Sequence, residues 1–185
     1  MARTPLTVRD AVVADAEELV QMWATLGSGV LSPSAQEEAE RAVARVRESL
    51  TERLVVVEID GRVAAAIHLR RSPMSPLHTQ EVVHTSFLLV LPEHRRHGYA
   101  RVLLDVAVTW AEELGLDYVT ALTTSASREA NRFMARLGLA STATLRIAPA
   151  TLLRAKLSPA ARNGATTPRQ VLAQRRSLRR RQAIR

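Results

Sequence analysis

The residues with the clearest chemical capacity lie in one segment, Leu88 to Arg101, where an apolar run ends in a basic loop. The loop carries Arg95 and Arg96, and Gly98 precedes a strongly patterned helix. The first N–H groups of a helix have no intrahelical partner and attract anions, and glycine lets the backbone turn and approach a ligand. The segment therefore predicts a phosphate-binding loop. The alternative is a plain strand–turn–helix connection whose arginines are solvated.

Hydrophobic patterns along the chain place this loop inside a mixed α/β sheet. Strands are predicted over residues 6–13, 54–59, 63–69, 82–91, 118–122 and 142–147, and helices over residues 15–26, 34–50, 102–114 and 127–137. Residues 151–157 fit either a strand or a helix. Asp15 and Glu18 have the spacing of a capping box at the start of the first helix. An early hairpin followed by strands that alternate with helices predicts an α/β fold.

The composition is that of a globular protein with one domain of ordinary size, since the chain has 185 residues, 46% hydrophobic and 24% charged. Cysteine is absent, which excludes disulfides, thiolate metal sites and a cysteine nucleophile. No apolar run reaches the roughly 18–20 residues of a membrane span, and the first residues lack the apolar core of a secretory signal. We therefore expect a cytoplasmic protein. Lys156 is the only lysine, a bias typical of GC-rich coding that predicts a bacterial source.

The net charge is confined to the C-terminal residues. Residues 1–157 carry 18 basic and 18 acidic side chains, whereas residues 158–185 carry eight arginines and no acid. The sequence therefore predicts a folded domain over residues 1–157 and a basic, disordered tail over residues 158–185. Such a tail can bind nucleic acid, an anionic membrane surface or an acidic partner. The alternative is a solvated tail without a partner.

The loop and its flanking elements together resemble the central motif of the GCN5-related N-acetyltransferase (GNAT) family. That motif is a Val-x-Pro strand end, a Gln/Arg-x-x-Gly-x-Gly/Ala loop and a helix, matched here by Val90, Pro92, Arg95, Gly98 and Ala100. The family's later Phe-Tyr-x-x-x-Gly-Phe run is echoed over residues 133–139. The resemblance implies a mixed, mostly antiparallel central sheet flanked by helices on both faces, and an acetyltransferase-like domain over residues 1–157.

The same resemblance implies how acetyl-CoA binds as co-substrate. Its pyrophosphate is expected on the loop amides, its pantetheine arm beside the end of the preceding strand, and its acetyl carbonyl near the Val90 N–H, which would act as the oxyanion donor. The residues assigned to the cofactor are Leu88, Leu89, Val90, Arg95, Arg96, His97, Gly98, Tyr99, Ala100, Arg101 and Ser127. His94 and His97 lie beside three arginines, which is a poor site for a cation, so no metal is predicted.

An amine acceptor needs a base, because a free alkyl amine with a pKa near ~10 is protonated at neutral pH. His84 is the first candidate, since it lies on the strand leading into the loop and histidine has an ordinary pKa of about 6.5. The alternatives are Glu81, His78 in the preceding loop, or a half-buried structural role for His84. The family's general-acid tyrosine is replaced by Met134. The thiolate then leaves unaided, Tyr99 or a water protonates it, or the protein is a weak catalyst.

The departures from the family pattern continue at the next helix, where Ser127 replaces the usual asparagine and Asn131 lies one turn further on. The predicted function is transfer of an acetyl group to a primary amine, on a protein or a small molecule, by direct attack in a ternary complex. The alternative is a catalytically weak CoA-binding module tethered to nucleic acid or an acidic partner by its tail. A longer acyl donor and a homodimer are both compatible with the resemblance.

Overall fold

A five-stranded sheet organises the computed structural model, which describes residues 6–24, 34–124 and 127–158. Its strands are β1 (Leu6–Asp10), β2 (Glu52–Ile59), β3 (Arg62–Pro73), β4 (Glu81–Val90) and β5 (Val119–Ala121). They lie in the order β1-β2-β3-β4-β5. The first four are antiparallel to their neighbours, and β5 is parallel to β4. The predicted mixed, mostly antiparallel sheet is confirmed.

Helices cover both faces of this sheet. They are α1 (Ala16–Ala24), α2 (Ala35–Glu48), α3 (Tyr99–Glu113) and α4 (Arg128–Arg136). Successive side chains of a strand point to opposite faces, so Val55 and Val57 pack in one cluster with α3 and α4, whereas Val56 packs in the other with α1 and α2. We call these the α3 face and the α1 face.

Strands β4 and β5 separate part of the way along β4. Their paired residues end at Thr85 and Ala121, and the Leu122 N–H donates to the Thr85 carbonyl at 2.8 Å. On its other edge, β4 stays paired with β3 as far as Val90. Among the described residues, no strand covers the β5-side edge of β4 after Thr85. Residues 86–90 of β4 therefore have one unpaired edge, on the side of β5. We call it the open edge of β4.

A β-bulge at Phe87 coincides with this separation. His68 pairs with Ser86 and Ala66 pairs with Leu89, so β4 has two residues where β3 has one. Phe87 itself has a φ of 51°, in the left-handed region. Its side chain is 45% exposed, and its ring centroid lies 5.7 Å from that of Trp23 on α1. Because bulges bend a strand and increase its local twist, this one accounts for the divergence of β4 from β5.

The entry to α1 differs from the capping box predicted there, which was wrong. Asp15 ends a short 3-10 turn, and its carboxylate accepts hydrogen bonds from Arg9 at 2.7 and 2.8 Å and from the Val12 N–H at 2.8 Å. Glu18 accepts from the Val63 N–H at 2.6 Å and contacts Arg62. The carboxylates therefore bind groups that precede the helix or lie on β3, and neither makes the predicted cap.

Asp15 should make the fold sensitive to acid. Burial acts to raise the pKa of its carboxyl, but the Arg9 and Val12 hydrogen bonds and the Arg9 charge outweigh burial and lower that pKa. The stability that this pair contributes is therefore complete above the ordinary aspartate pKa of about 3.9 and is lost as the pH falls through the folded-state value. We expect Asp15→Asn to lower the free energy of unfolding by about 2–3 kcal/mol at neutral pH.

Urea unfolding at pH 7 and at about pH 3 checks this expectation, because the difference between the variant and the unmodified chain should shrink in acid. Glu58→Gln is the matched control. Glu58 also bonds Arg9, at 2.8 Å, but its side chain is 28% exposed against 8% for Asp15. The control should cost less than half as much, and an equal cost would contradict a special role for Asp15.

The chain divides into two compact units, Met1–Ser141 and Thr142–Arg185. In the second, residues 142–149 form no strand, so the strand predicted over 142–147 is wrong, and α5 (Ala150–Leu157) follows. The β-branched pattern there finds no described partner strand, and Ile147 is exposed. Residues 159–185 lie outside the described residues, so the predicted tail and its boundary stay predictions. No described helix is long and apolar enough to cross a membrane.

Candidate functional site

The basic loop has a backbone shaped by two left-handed residues. A 3-10 turn (Pro92–His94) follows β4, Arg96 has a φ of 65°, and Gly98, with a φ of 86°, is the N-cap of α3. A Cβ placed on Gly98 would have no neighbour within 4 Å. Glycine is needed at this position for its φ, since nothing in the described structure crowds it. The space beside Gly98 is open to a ligand.

Five consecutive N–H groups in this loop, from Arg96 to Ala100, donate to no acceptor among the described residues. Before them, the Arg95 N–H returns to the Pro92 carbonyl at 3.3 Å. After them, the Arg101 N–H donates to the Gly98 carbonyl at 2.9 Å. Free N–H groups at a helix start, reinforced by the helix dipole, form an anion site. The loop thus has the geometry that binds a phosphate group.

The side chains around these N–H groups are mostly basic. Arg95, Arg96 and Arg101 are exposed, and none forms an ion pair with a described carboxylate. The ring of His97 stacks on that of Tyr99, with centroids 5.7 Å apart and an interplanar angle of 16°. Tyr99 also packs against the α3-face cluster. The arrangement holds the loop against the start of α3 and leaves its arginines free for an anionic ligand.

The open edge of β4 immediately precedes this loop, and the direction of its backbone N–H groups follows from the strand pairing. The Leu91 N–H donates to the Ala64 carbonyl of β3 at 3.0 Å. Because backbone N–H groups alternate between the two edges of a strand, the Val90 N–H points to the opposite edge, where β5 has separated. The Leu88 and Val90 side chains pack on the α3 face and Leu89 packs on the α1 face. Val90 is therefore placed to donate into the gap between the strands.

His84 lies beside the point where β4 and β5 part. It pairs with Thr120, and its Nδ1 lies 2.8 Å from the Thr120 hydroxyl oxygen. Its Nε2 has no hydrogen-bond partner in the described part of the chain. Val83 packs on the α3 face, so His84 points to the α1 face. A half-buried imidazole fixed through one nitrogen leaves the other free to exchange a proton.

Glu81 and His78 are not brought together with His84. Glu81 shares the α3 face with Val83, and its carboxylate lies 3.4 Å from Arg71 Nε. His78 is exposed in the loop before β4, where its Nδ1 lies 2.6 Å from the Ser75 hydroxyl oxygen. Of the three predicted bases, only His84 lies on the α1 face of β4 beside the open edge.

The start and centre of α4 have mainly structural contacts. Ser127 caps the helix, since its hydroxyl accepts the Ala130 N–H at 3.2 Å. The Asn131 amide donates to the Thr124 carbonyl at 3.0 Å and to the Ser127 carbonyl at 2.7 Å. Met134, at the position where the family carries its general acid, is 6% exposed in the α3-face core. The cofactor role expected of Ser127 stays a prediction.

Sequence reasoning missed a second polar group beside the bulge. His68 on β3 has its Nδ1 3.1 Å from the Ser86 hydroxyl oxygen of β4, and its Nε2 3.6 Å from a Glu52 carboxylate oxygen of β2. The available signal was a histidine inside the apolar run of β3. Its partners depend on strand register, which the sequence pattern does not specify.

The chain is similar to known proteins in sequence pattern and in fold. A sequence model of the acetyltransferase (GNAT) family matches residues 18–139. Among curated proteins, none matches the chain.

Three solved structures illustrate the similarity of fold. The aminoglycoside N-acetyltransferase AAC(6')-Iy in complex with CoA is 14% identical, with a TM-score of 0.66 over 80% of this chain and 96% of that one. Glucosamine-6-phosphate N-acetyltransferase from Arabidopsis thaliana is 14% identical, with a TM-score of 0.65 over 79% and 99%. A predicted acetyltransferase from Clostridium acetobutylicum with acetyl-CoA is 16% identical, with a TM-score of 0.63 over 80% and 98%. The TM-scores and coverages show a common fold, and identities this low show no more than the fold.

Proposed function

The chain belongs to the GNAT acetyltransferase family, and on this premise we propose that it transfers an acetyl group from acetyl-CoA to a primary amine by direct attack in a ternary complex. The observation that carries the proposal is the run of five free N–H groups, Arg96 to Ala100, bordered by three unpaired arginines and the open edge of β4. A loop of this kind suits a pyrophosphate. The open edge suits an extended thioester arm.

In this proposal the cofactor residues divide by chemistry. The N–H groups of Arg96 to Ala100 bind the pyrophosphate, and Arg95, Arg96 and Arg101 supply positive charge. The pantetheine arm lies along Leu88, Leu89 and Val90 in the place of a missing strand partner. The Val90 N–H then donates to the acetyl carbonyl and stabilises the negative charge that develops on it.

Replacing Val90 by proline should remove this donor with little effect on the sheet, because the Val90 N–H does not belong to the β3 ladder. We expect kcat to fall by about 10²–10³-fold, the range for loss of one oxyanion donor, with acetyl-CoA affinity nearly unchanged. Steady-state assays of thiol release, combined with calorimetry, give both quantities.

Val90→Ala is the matched control, because it shortens the same side chain but keeps the N–H. Its kcat should stay within a few-fold of the unmodified protein. If the alanine and proline variants lose the same activity, the Val90 side chain rather than its backbone matters, and the oxyanion assignment fails.

The acceptor amine loses a proton to His84 Nε2 before it attacks, while Thr120 holds the other nitrogen. The Met134 side chain has no proton to donate to the leaving thiolate. We therefore propose that the CoA thiolate, with a thiol pKa of about 8.5, leaves as the anion and takes its proton from water.

The test of the proposed function is acetyl transfer from acetyl-CoA to a panel of primary amines. The panel should contain an aminoglycoside, an amino sugar phosphate, peptides with free N-termini and a lysine peptide. Free thiol and acetylated product are both measured, because thiol release alone also reports hydrolysis. An acetylated amine supports the proposal. Acetyl-CoA binding without any product would favour a CoA-binding module instead.

The charge distribution favours one second candidate, in which such a module is tethered to nucleic acid or an acidic partner through residues 158–185. These residues carry the whole net charge of +8. A salt-sensitive shift of RNA or DNA that is lost on deletion of residues 158–185 would support it, provided that no amine in the panel is acetylated.

A further inference from the structure

The α1 face of the sheet carries a continuous row of polar side chains that the proposed mechanism does not use. Ser86 lies next to the bulge on β4, His68 is its partner on β3, and Glu52 comes from β2. Three adjacent strands thus contribute a hydroxyl, an imidazole and a carboxylate to one face. The row begins at the last paired residue before the bulge and ends at a partly exposed carboxylate.

The contacts in this row indicate which nitrogen of His68 carries the proton. Ser86 Oγ lies 3.1 Å from His68 Nδ1, and Glu52 Oε2 lies 3.6 Å from His68 Nε2. At 3.6 Å the carboxylate is too far from Nε2 for a hydrogen bond, but an ionised carboxylate has only acceptor atoms, so its charge favours the tautomer with the proton on Nε2. Nδ1 is then the acceptor for the Ser86 hydroxyl. Among the described residues of the strands, the other charged or titratable side chains on this face beside His68 are Arg70 on its own strand and His84 on β4.

The chemistry of amide formation requires more than one proton transfer. An alkylammonium loses one proton to become a nucleophile, and its nitrogen loses a second when the C–N bond has formed. His84 offers one free nitrogen, Nε2, and therefore holds one transferred proton at a time. The position of the family's general acid is filled by buried Met134. A separate route from the nitrogen to solvent would let the second transfer proceed before His84 has released the first proton.

We propose that Ser86, His68 and Glu52 form this second route, an inference that rests on the proposed function. Ser86 contacts the attacking nitrogen, and His68 and Glu52 are positioning residues that act through Ser86. When the C–N bond has formed, the nitrogen proton passes to Ser86 Oγ as the hydroxyl proton passes to His68 Nδ1. The C–S bond breaks, and the thiolate takes a proton from water. Glu52 stabilises the imidazolium until His68 Nε2 releases its proton to solvent. This leaves the proton on Nδ1, and proton exchange with solvent through the imidazolium then restores the Nε2–H tautomer before the next turnover.

The two routes can be separated by the basicity of the amine. Ethylamine is protonated at neutral pH and must lose both protons on the enzyme. 2,2,2-Trifluoroethylamine has nearly the same shape but is largely neutral there, because its fluorines withdraw electrons, so it needs only the second proton transfer. Both probes are supplied at high concentration with saturating acetyl-CoA. Each variant is compared with the unmodified protein on the same amine.

We expect His84→Asn to lose most of its rate with ethylamine and to recover it with trifluoroethylamine. Ser86→Ala and His68→Asn should lose about a hundredfold in rate with both amines, the lower end of the usual range for general acid–base catalysis. Glu52→Gln should lose less, and Ser86→Thr should restore most of the rate because it keeps the hydroxyl. Acetyl-CoA affinity, measured by calorimetry, should be the same in all five variants.

Two results would overturn this inference and leave the proposed function intact. Ser86→Ala and His68→Asn could retain the rate of the unmodified protein, or their loss could disappear with trifluoroethylamine, which would make them part of the first transfer. If the unmodified protein acetylates neither probe nor any amine of the larger panel, the proposed function fails and the inference fails with it.

The tautomer of His68 provides a readout independent of turnover. Nitrogen NMR of the histidine rings should show neutral His68 protonated on Nε2, and Glu52→Gln should shift it toward the Nδ1 form. If His68 carries its proton on Nδ1 in the unmodified protein, Ser86 Oγ accepts the hydrogen bond from His68. That result would overturn the proposed direction of proton transfer, whatever the kinetics show.

Discussion

Acetyl-CoA should no longer bind once Arg95 is replaced by glutamate and Gly98 by aspartate in the same chain. The double variant adds two negative charges beside five free N–H groups and removes one of three unpaired arginines. It also places a residue with a Cβ at a φ of 86°, which strains the backbone. We expect at least a hundredfold increase in Kd, about 3 kcal/mol, measured by calorimetric titration.

The matched control makes equivalent changes away from the loop. Arg45→Glu on α2 with Gly115→Asp adds the same charges, and Gly115 also has positive φ, 67°, with no neighbour within 4 Å of an added Cβ. Gly115 follows the opposite end of α3, where no N–H group is free to bind an anion. The control should bind acetyl-CoA normally. Equal losses in both proteins would show that the loop variant fails through general destabilisation.

His84→Asn should lower kcat by about 10²–10³-fold near neutral pH, the range for loss of a general base. Asparagine keeps a polar group within reach of Thr120 but has no titratable nitrogen. The loss should shrink as the pH rises toward the pKa of the amine, about 10, because more of the acceptor is then neutral without help. A pH series of initial rates on an acceptor from the amine panel tests both the size and the direction of this change.

Glu81→Gln is the control for His84, since both are titratable residues on β4 but on opposite faces. We expect less than a twofold change in kcat for this variant. A large loss in Glu81→Gln with little loss in His84→Asn would assign the base to Glu81. The acceptor would then have to reach the α3 face.

The parts of the site that follow from local pattern were predictable from the sequence. Gly98 before an apolar helical stripe indicates both the turn and the start of α3, and the structure has its N-cap at Gly98. The role of Val90 as oxyanion donor follows from the family motif and stays a prediction, and the open edge shows only where its N–H points. The capping box at Asp15 and Glu18 could not be excluded in advance, because the competing Arg9 and Val63 N–H come from other elements.

The parts of the site that depend on register were not predictable. Glu52, His68 and Ser86 come together only because three strands align in one particular way, and no local pattern encodes that alignment. The bulge at Phe87 has no sequence signal either, since residues 86–90 read as an ordinary apolar strand. Both features arise from tertiary pairing, which single-sequence periodicity does not contain.

The bulge at Phe87 lowers the stability of the fold but creates the open edge that the proposed activity requires. A non-glycine residue in the left-handed region costs on the order of 1–3 kcal/mol, and each unpaired edge residue forgoes ladder hydrogen bonds. Deleting Phe87 would give β4 the residue count to pair regularly along β3, and selection for thermal stability alone would favour such a chain. Such a deletion would close the gap in which we propose that the thioester binds. Stabilising substitutions gathered elsewhere in this protein should therefore be compatible with activity, while those within residues 85–90 should not.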